Sequence, residues 1–160
     1  MLFYPCLVAC EPASRGAGEA GSADAGPSAD RVIGFAYAHR QAERAAYDWN
    51  VELSIYLHSD VERRGIYEAL MELLALQGVR CCCARVTLPN AASEHLHSRF
   101  GFDTMGVQRN AGFKNGAWRD VAWYVKPIGP FDEDPERPLP FPRVMRERAS
   151  EIERILGRAN

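Results

Sequence analysis

The chain has 160 residues, and its 19 lysines and arginines stand against 21 aspartates and glutamates, a net charge of −2. That length fits one domain with a single hydrophobic core. A near-neutral charge gives no electrostatic footprint for nucleic acid or an anionic membrane surface, and no apolar run reaches the roughly 20 residues that a membrane-spanning helix needs. The composition therefore predicts a soluble, compact protein whose partner is a small molecule or another protein.

Two apolar segments near the start, 3–10 and 32–38, have the length and composition of strands. Fifteen of the 19 residues at 12–30 are Ala, Gly, Ser or Pro, which predicts a flexible loop because such a segment buries too little surface to order itself. The pattern favours a hairpin with a long loop over two domains. Leu7–Cys10 is similar to a lipoprotein cleavage site, but what precedes it lacks basic residues and is too short for a signal core, so a buried strand is the preferred interpretation.

The middle of the chain alternates strand and helix patterns. Val51, Leu53, Ile55 and Leu57 alternate with polar residues, as a half-buried strand requires. The predicted elements, in order, are a strand over 49–57, a helix over 65–78, a strand over 79–88, a helix over 90–99, and strands over 102–107 and 120–125. This order predicts a mixed α/β sheet with helices on its faces.

The end of the chain changes composition again. Residues 127–142 are rich in proline and carry an acidic patch, which predicts an extended linker between a domain at 1–126 and a C-terminal segment at 143–160. Apolar residues recur among charges over 143–158, which predicts a terminal helix that docks on its own domain or on a partner.

The five cysteines predict free thiols. Cys81, Cys82 and Cys83 are consecutive, and neighbours on a strand point to opposite faces, so a disulfide framework is not indicated. No CxxC pair accompanies a histidine cluster, so we expect no metal site. Reduced thiols suit a cytoplasmic location.

The residues alone offer one candidate site for chemistry. The sequence contains no nucleophile elbow, no Walker loop and no GxGxxG after the first strand. Arg63-Arg64-Gly65-Ile66 lies between a strand and a helix, where free backbone N–H groups and flanking arginines can bind phosphate. A solvated basic turn is the alternative.

Five blocks of sequence carry a resemblance to a known family. They read GFAYA at 34–38, RAAYDWNVELSIYL at 44–57, LPNAAS at 88–93, LHSRFGF at 96–102 and GFKNGAWRDVAW at 112–123. Together with the strand around Tyr4-Pro5, they resemble the phosphinothricin acetyltransferase branch of the GNAT acetyltransferase superfamily.

The resemblance implies a GNAT-like fold, which is α/β with a mixed, mostly antiparallel sheet flanked by helices, here lacking the family's first strand and first two helices. It implies transfer of acetyl from acetyl-CoA to the primary amine of a small amino-acid-like substrate of the phosphinothricin or methionine sulfone type, without a metal. It also implies a homodimer. Acetylation of a protein N-terminus or lysine is disfavoured because the substrate blocks indicate a small molecule.

Two residues are implied as catalytic. Glu52 matches the family's glutamate on the central strand and is the candidate general base, since an amine near neutral pH is mostly protonated. His97 matches the histidine on the helix after Leu-Pro-Asn and could hold or relay the proton with Glu52. The alternatives are a solvent-facing strand glutamate and an ordinary surface histidine.

The resemblance implies two further sets of residues. The residues expected to contact acetyl-CoA are Ile55, Tyr56, Leu57, Arg63, Arg64, Gly65, Ile66 and Asn90. The residues expected to contact the amine substrate are Arg44, Tyr47, Phe113, Lys114 and Trp118. In the first set the strand backbone would polarise the thioester carbonyl, and in the second an arginine would bind the acid group.

Several positions depart from the family pattern. Glu62 adds a negative charge at the phosphate loop, Tyr67 stands where a glycine would let backbone approach pyrophosphate, and Arg119 replaces a histidine. The altered phosphate loop, together with the expected lack of the family's first strand and first two helices, supports the alternative hypothesis, a degenerate GNAT-like binding domain without catalytic activity. Arg119 instead predicts a shifted substrate preference.

Overall fold

The computed structural model describes residues 3–11, 30–58 and 65–159. Most of the loop predicted at 12–30 therefore lies outside the described residues. The strands are β1 (Cys6–Glu11), β2 (Arg31–Arg40), β3 (Asn50–Leu57), β4 (Cys81–Thr87), β5 (Asp103–Lys114) and β6 (Ala117–Pro127). The helices are α1 (Gly65–Gln77), α2 (Ala91–Arg99), α3 (Phe141–Glu147) and α4 (Ala149–Arg158), with a 3-10 turn at Ala45–Tyr47. None of these helices combines the length and apolar character that crossing a bilayer requires.

The described strands form one sheet in the order β1-β2-β3-β4-β6-β5. Only β3 and β4 run parallel, and the other neighbours are antiparallel. The parallel pair is the one joined through a helix, because a parallel connection needs a crossover. The prediction of a mixed, mostly antiparallel α/β fold is confirmed.

Helix α1 is buried on two sides. Tyr67, Leu70 and Leu74 pack on the sheet, while Leu73 packs on the C-terminal helices. A helix that is apolar around most of its circumference is stable only when it is covered on more than one side. The sequence of α1 therefore requires both the sheet and a second layer.

The C-terminal segment supplies that second layer. Val144 of α3 and Ile152 and Ile155 of α4 are buried against α1. The predicted single helix over 143–158 is instead two helices, because Arg148 adopts a non-helical conformation with φ −130° and ψ 35°. The predicted linker is shorter than 127–142, because Pro127 ends β6 and α3 begins at Phe141. Residues 128–140 between them form neither helix nor strand but lie against the domain, where Leu139 N donates to the carbonyl of Gln77 at 2.9 Å.

Strand β1 is not the buried strand that its composition predicts. It lies at the edge of the sheet, with Cys6, Val8 and Cys10 exposed and Leu7 and Ala9 half-buried. An edge strand exposes alternate residues when only one of its faces is packed.

The hairpin of β5 and β6 is longer than predicted. Its turn is Asn115-Gly116, where both residues have positive φ, 53° and 75°. Asn-Gly is the preferred pair for a two-residue hairpin turn because both residues tolerate this backbone conformation. The strand patterns at 102–107 and 120–125 therefore extend to meet at this turn.

The four helices of the described residues lie on one side of the sheet, where α1 and α2 pack on the strands and α3 and α4 pack on α1. The core on that face contains Val51 and Leu53 of β3 together with Cys82 and Ala84 of β4. The opposite face carries Phe35 and Tyr56 among others, and no described helix covers it. The rings of these two residues stack with their centres 4.9 Å apart. We call this opposite side the open face.

Candidate functional site

The central strands separate partway along their length. β3 and β4 are paired only at Asn50–Cys81, Val51–Cys82 and Glu52–Cys83, yet β3 continues to Leu57 and β4 to Thr87. Beyond Glu52 the main chain of β3 is paired with β2 alone among the described strands. Unpaired N–H and C=O groups in a sheet need partners, so this split can accept an extended ligand that carries amide groups.

Glu52 is the last residue of β3 before the split. Its side chain belongs to the open face, yet the residue is only 7% exposed. Arg85 of β4 binds both carboxylate oxygens, from Nε to Oε1 and from an Nη to Oε2, at 2.7 Å each. The Arg85 guanidinium in turn lies 5.1 Å from the centre of the Trp123 ring. Glu52 is thus a buried, bidentate ion-paired carboxylate and not the solvent-facing residue of the alternative interpretation.

His39 completes this cluster on the open face. It lies directly across from Glu52 in the β2–β3 register. Its Nε2 is 3.9 Å from Glu52 Oε1, and its Nδ1 is 3.1 Å from the carbonyl oxygen of Arg40. We call His39, Glu52 and Arg85 the vertex cluster, because the three residues surround the point where β3 and β4 part.

His97 is buried in the core and is not a surface histidine. Its Nδ1 is 2.7 Å from the carbonyl oxygen of Ser93, so Nδ1 carries the proton and donates it. Its Nε2 then accepts from the hydroxyl of Tyr67 at 3.2 Å. Burial lowers the pKa of His97 and raises the pKa of Tyr67, so both groups are held neutral.

The structure does not support a proton relay between Glu52 and His97. His97 packs on Tyr67 and Tyr124 on the helix-bearing face, whereas Glu52 points to the open face because it alternates with Val51 and Leu53. Both nitrogens of His97 are also occupied. The resemblance placed both residues in one site, but the sheet lies between them.

The expected acetyl-CoA contacts are distributed around the split. Ile55, Tyr56 and Leu57 form the part of β3 beyond it. Arg63 and Arg64 lie outside the described residues, as does Glu62. Asn90 caps α2, because its side chain accepts from Ser93 N at 3.1 Å, and its contact with acetyl-CoA stays a prediction.

The start of α1 is closely packed. A Cβ on Gly65 would lie 2.7 Å from the carbonyl oxygen of Ala159, just after α4. Ile66 is buried beside it. Tyr67 points into the core toward His97 and is fully buried, so its ring does not obstruct an anion at the helix start, contrary to the expectation from its position in the loop.

The expected substrate residues lie at opposite ends of the sheet. Arg44 and Tyr47 are exposed on the connection that leads into β3, whereas Phe113, Lys114 and Trp118 lie at the tip of the β5–β6 hairpin. Pro127 of β6 pairs with Cys81, which pairs with Asn50 at the start of β3. Trp118 lies nine residues before Pro127 on β6, so about 30 Å of strand separates the two ends. The chain therefore does not bring these two groups into one pocket by itself. Phe113 and Trp118 are 64% and 63% exposed and contact each other edge to face.

Sequence reasoning did not find His39 or Arg85. Arg85 lies two residues after Cys83, so strand alternation assigns the two to one face, but nothing local pairs that face with Glu52. His39 directly follows the GFAYA block. A predicted register for the β2–β3 hairpin that pairs residue 39 with residue 52 would have placed His39 beside Glu52. Within the described ranges, no group of three or more histidines, cysteines, aspartates or glutamates is placed to hold a metal ion, and all five thiols are free.

Comparison with known proteins is consistent with this architecture. The family model described as the Acetyltransferase (GNAT) domain matches residues 25–123. The chain is 36% identical over 113 residues to phosphinothricin N-acetyltransferase of Streptomyces viridochromogenes, a match that covers 68% of this chain and 62% of that protein. It is 30% identical over 131 residues to an L-methionine sulfoximine/L-methionine sulfone acetyltransferase of Pseudomonas paraeruginosa, covering 79% of this chain and 67% of the relative.

A solved structure supports the same fold. The GNAT superfamily phosphinothricin acetyltransferase from Sinorhizobium meliloti in complex with AcCoA superposes with a TM-score of 0.61 at 32% identity. The match covers 68% of this chain and 62% of that one. The chain thus spans less than two thirds of the length of the Streptomyces and Sinorhizobium relatives.

Proposed function

Because the chain belongs to the GNAT acetyltransferase family, we propose that it is an N-acetyltransferase that moves the acetyl group of acetyl-CoA to the primary amine of a small amino-acid-like substrate. The observation that carries the proposal is the split between β3 and β4 with a buried carboxylate at its vertex. We place the reaction in the cytoplasm, where free thiols such as the five here persist.

The split suits an acetyl-CoA co-substrate. The pantetheine arm of acetyl-CoA is extended and carries amide groups, so it can pair with the main chain of β3 over Ile55, Tyr56 and Leu57. A backbone N–H of this segment can polarise the thioester carbonyl, which lowers the barrier to attack by an amine. The reaction then needs a group that removes a proton from the substrate ammonium.

The names of the relatives support the proposed substrate class. The proteins from Streptomyces and Pseudomonas are named for phosphinothricin and for methionine sulfoximine and sulfone, which are amino acids with an acidic or strongly polar side chain. Arg44 is exposed and close in sequence to β3, and its guanidinium can bind a carboxylate or phosphinate in two-point fashion.

A homodimer forms part of the same proposal. The Phe113–Trp118 pair is an exposed aromatic patch at the hairpin tip, and exposed aromatic patches frequently mark interfaces. A second copy could then supply the hairpin that closes over Arg44 and Tyr47. Light scattering of the purified protein, with Trp118→Ala as the comparison, tests this part: a monomeric wild-type protein contradicts it.

One observation favours the alternative, a non-catalytic domain of the same family. The main chain of Ala159 occupies the space beside Gly65, at the helix start where the resemblance places the pyrophosphate of acetyl-CoA. A domain that keeps this contact closed would bind acetyl-CoA weakly.

The decisive experiment combines binding and turnover. Acetyl-CoA binding is measured by calorimetry, and loss of the thioester is followed with L-phosphinothricin and L-methionine sulfone as acceptors. Turnover that falls in Glu52→Gln supports the enzyme. Binding without turnover supports the non-catalytic domain, and absence of binding in a folded sample contradicts the proposed function.

A further inference from the structure

We propose that His39 is the group that takes the proton from the attacking amine, and that Glu52 and Arg85 position it and balance its charge. This inference rests on the proposed acetyltransferase function. It differs from the expectation drawn from the family resemblance, which assigns proton removal to Glu52 and His97.

Glu52 is poorly placed to accept a proton itself. Both of its oxygens are bound by Arg85 at 2.7 Å, and the carboxylate is nearly enclosed, with 10% of its side-chain surface exposed. Accepting a proton would cost Glu52 its two charge-assisted hydrogen bonds to Arg85. The carboxylate is therefore already engaged by the guanidinium, and it fits the role of positioning His39.

His39 has the geometry of a proton acceptor. The carbonyl oxygen of Arg40 can only accept a hydrogen bond, so its contact with Nδ1 assigns the proton to that nitrogen. Nε2 then carries the free lone pair, and 44% of the side chain is exposed, so a substrate can reach it. A neutral imidazole with an accessible lone pair is the side chain most often used as a general base.

A negative charge lies beside the nitrogen that would receive the proton. Glu52 on β3 lies 3.9 Å from Nε2, and the Tyr37 ring on the same strand as His39 lies 6.2 Å from the imidazole ring. Arg85 on β4 is linked to His39 through Glu52. Once Nε2 is protonated, its positive charge lies 3.9 Å from the nearer carboxylate oxygen.

The proton and electron balance is simple. The substrate ammonium gives one proton to His39 Nε2, and the resulting amine nitrogen uses its lone pair to form the new N–C bond at the thioester carbonyl. The C–S bond breaks, its electron pair stays on the sulfur of CoA, and the second proton of the amine nitrogen completes the thiol. His39 returns its proton to solvent, so one ammonium and one thioester yield one amide, one thiol and one proton.

The test compares pH profiles of four proteins. We expect kcat/KM of the wild type to rise with pH along a limb set by His39, and His39→Gln to lower kcat/KM about 10²–10⁴-fold and to lose that limb. Glu52→Gln should move the limb to lower pH, because the imidazolium loses its neighbouring negative charge. His95→Gln, an exposed histidine of α2, is the matched control and should leave the profile unchanged. Added imidazole should partly restore His39→Ala, which a purely structural role would not allow.

A second readout does not depend on activity. NMR titration of the histidine rings in the free protein should show that Glu52→Gln lowers the pKa of His39 relative to the wild type. If His39→Gln keeps full kcat/KM and the same limb, the inference is overturned while the acetyltransferase function stands. If the wild type turns over no amine, the function and the inference fall together. An unchanged His39 titration in Glu52→Gln overturns the positioning role of the carboxylate by itself.

Discussion

Removing the guanidinium from the vertex cluster should destabilise the whole domain. Arg85→Ala leaves the Glu52 carboxylate, 7% exposed, without the two hydrogen bonds that now satisfy it. Breaking a fully buried pair costs about 3–5 kcal/mol, but 46% of the Arg85 side chain is exposed, so water can replace part of its contribution. Losing the packing on Trp123 adds about 0.5–1 kcal/mol. We therefore expect a loss of about 2–3 kcal/mol in the free energy of unfolding.

Urea unfolding of Arg85→Ala, Glu52→Gln and the double variant measures this interaction. The double-variant cycle should give a coupling energy of about 1–3 kcal/mol, as for other residues in direct contact. The matched control is Arg143 and Glu147 on α3, a pair of the same length, 2.7 Å, that is about half exposed on both sides. Its coupling should stay below about 0.5 kcal/mol. Equal coupling energies in the two cycles would refute the argument that burial makes the Glu52–Arg85 pair strong.

Three further predictions concern the core and the start of α1. The pKa of His97 is lowered in the folded protein, so below the ordinary histidine pKa of about 6.5 the unfolded chain binds more protons than the folded one. The free energy of unfolding should therefore be full above about pH 6.5 and fall below it by at most about 1.4 kcal/mol per pH unit. Urea unfolding from pH 7 to 5 should show a smaller slope for His97→Gln than for the wild type. Gly65→Ala puts a Cβ 2.7 Å from Ala159, and thermal unfolding should show a loss of about 1–3 kcal/mol unless the end of α4 moves away. Leu73→Ala removes a fully buried side chain between α1 and the C-terminal helices and should cost about 2–5 kcal/mol in a single unfolding transition; a separate early transition for α3 and α4 would show that they are not part of the same core.

The local elements and the family could be predicted from the sequence. The alternation from Val51 to Leu57 predicts β3, and Asn90 at the start of α2 predicts a helix cap that the structure confirms. These signals are local, because side-chain alternation and capping depend on neighbours within a few residues. The five blocks similar to phosphinothricin acetyltransferases then predict the fold that the structure and the comparisons confirm.

Only the tertiary structure brings the residues of the vertex cluster together. Arg85 and Glu52 are 33 positions apart in the chain, and they meet because β3 and β4 pair in parallel for three residues and then part. The described helices pack on one side of the sheet. His97 is buried on that side, whereas Glu52 lies on the opposite, open face. Strand alternation in a sequence assigns residues to two faces but does not say which face the helices cover, because that choice depends on crossovers and packing between distant segments.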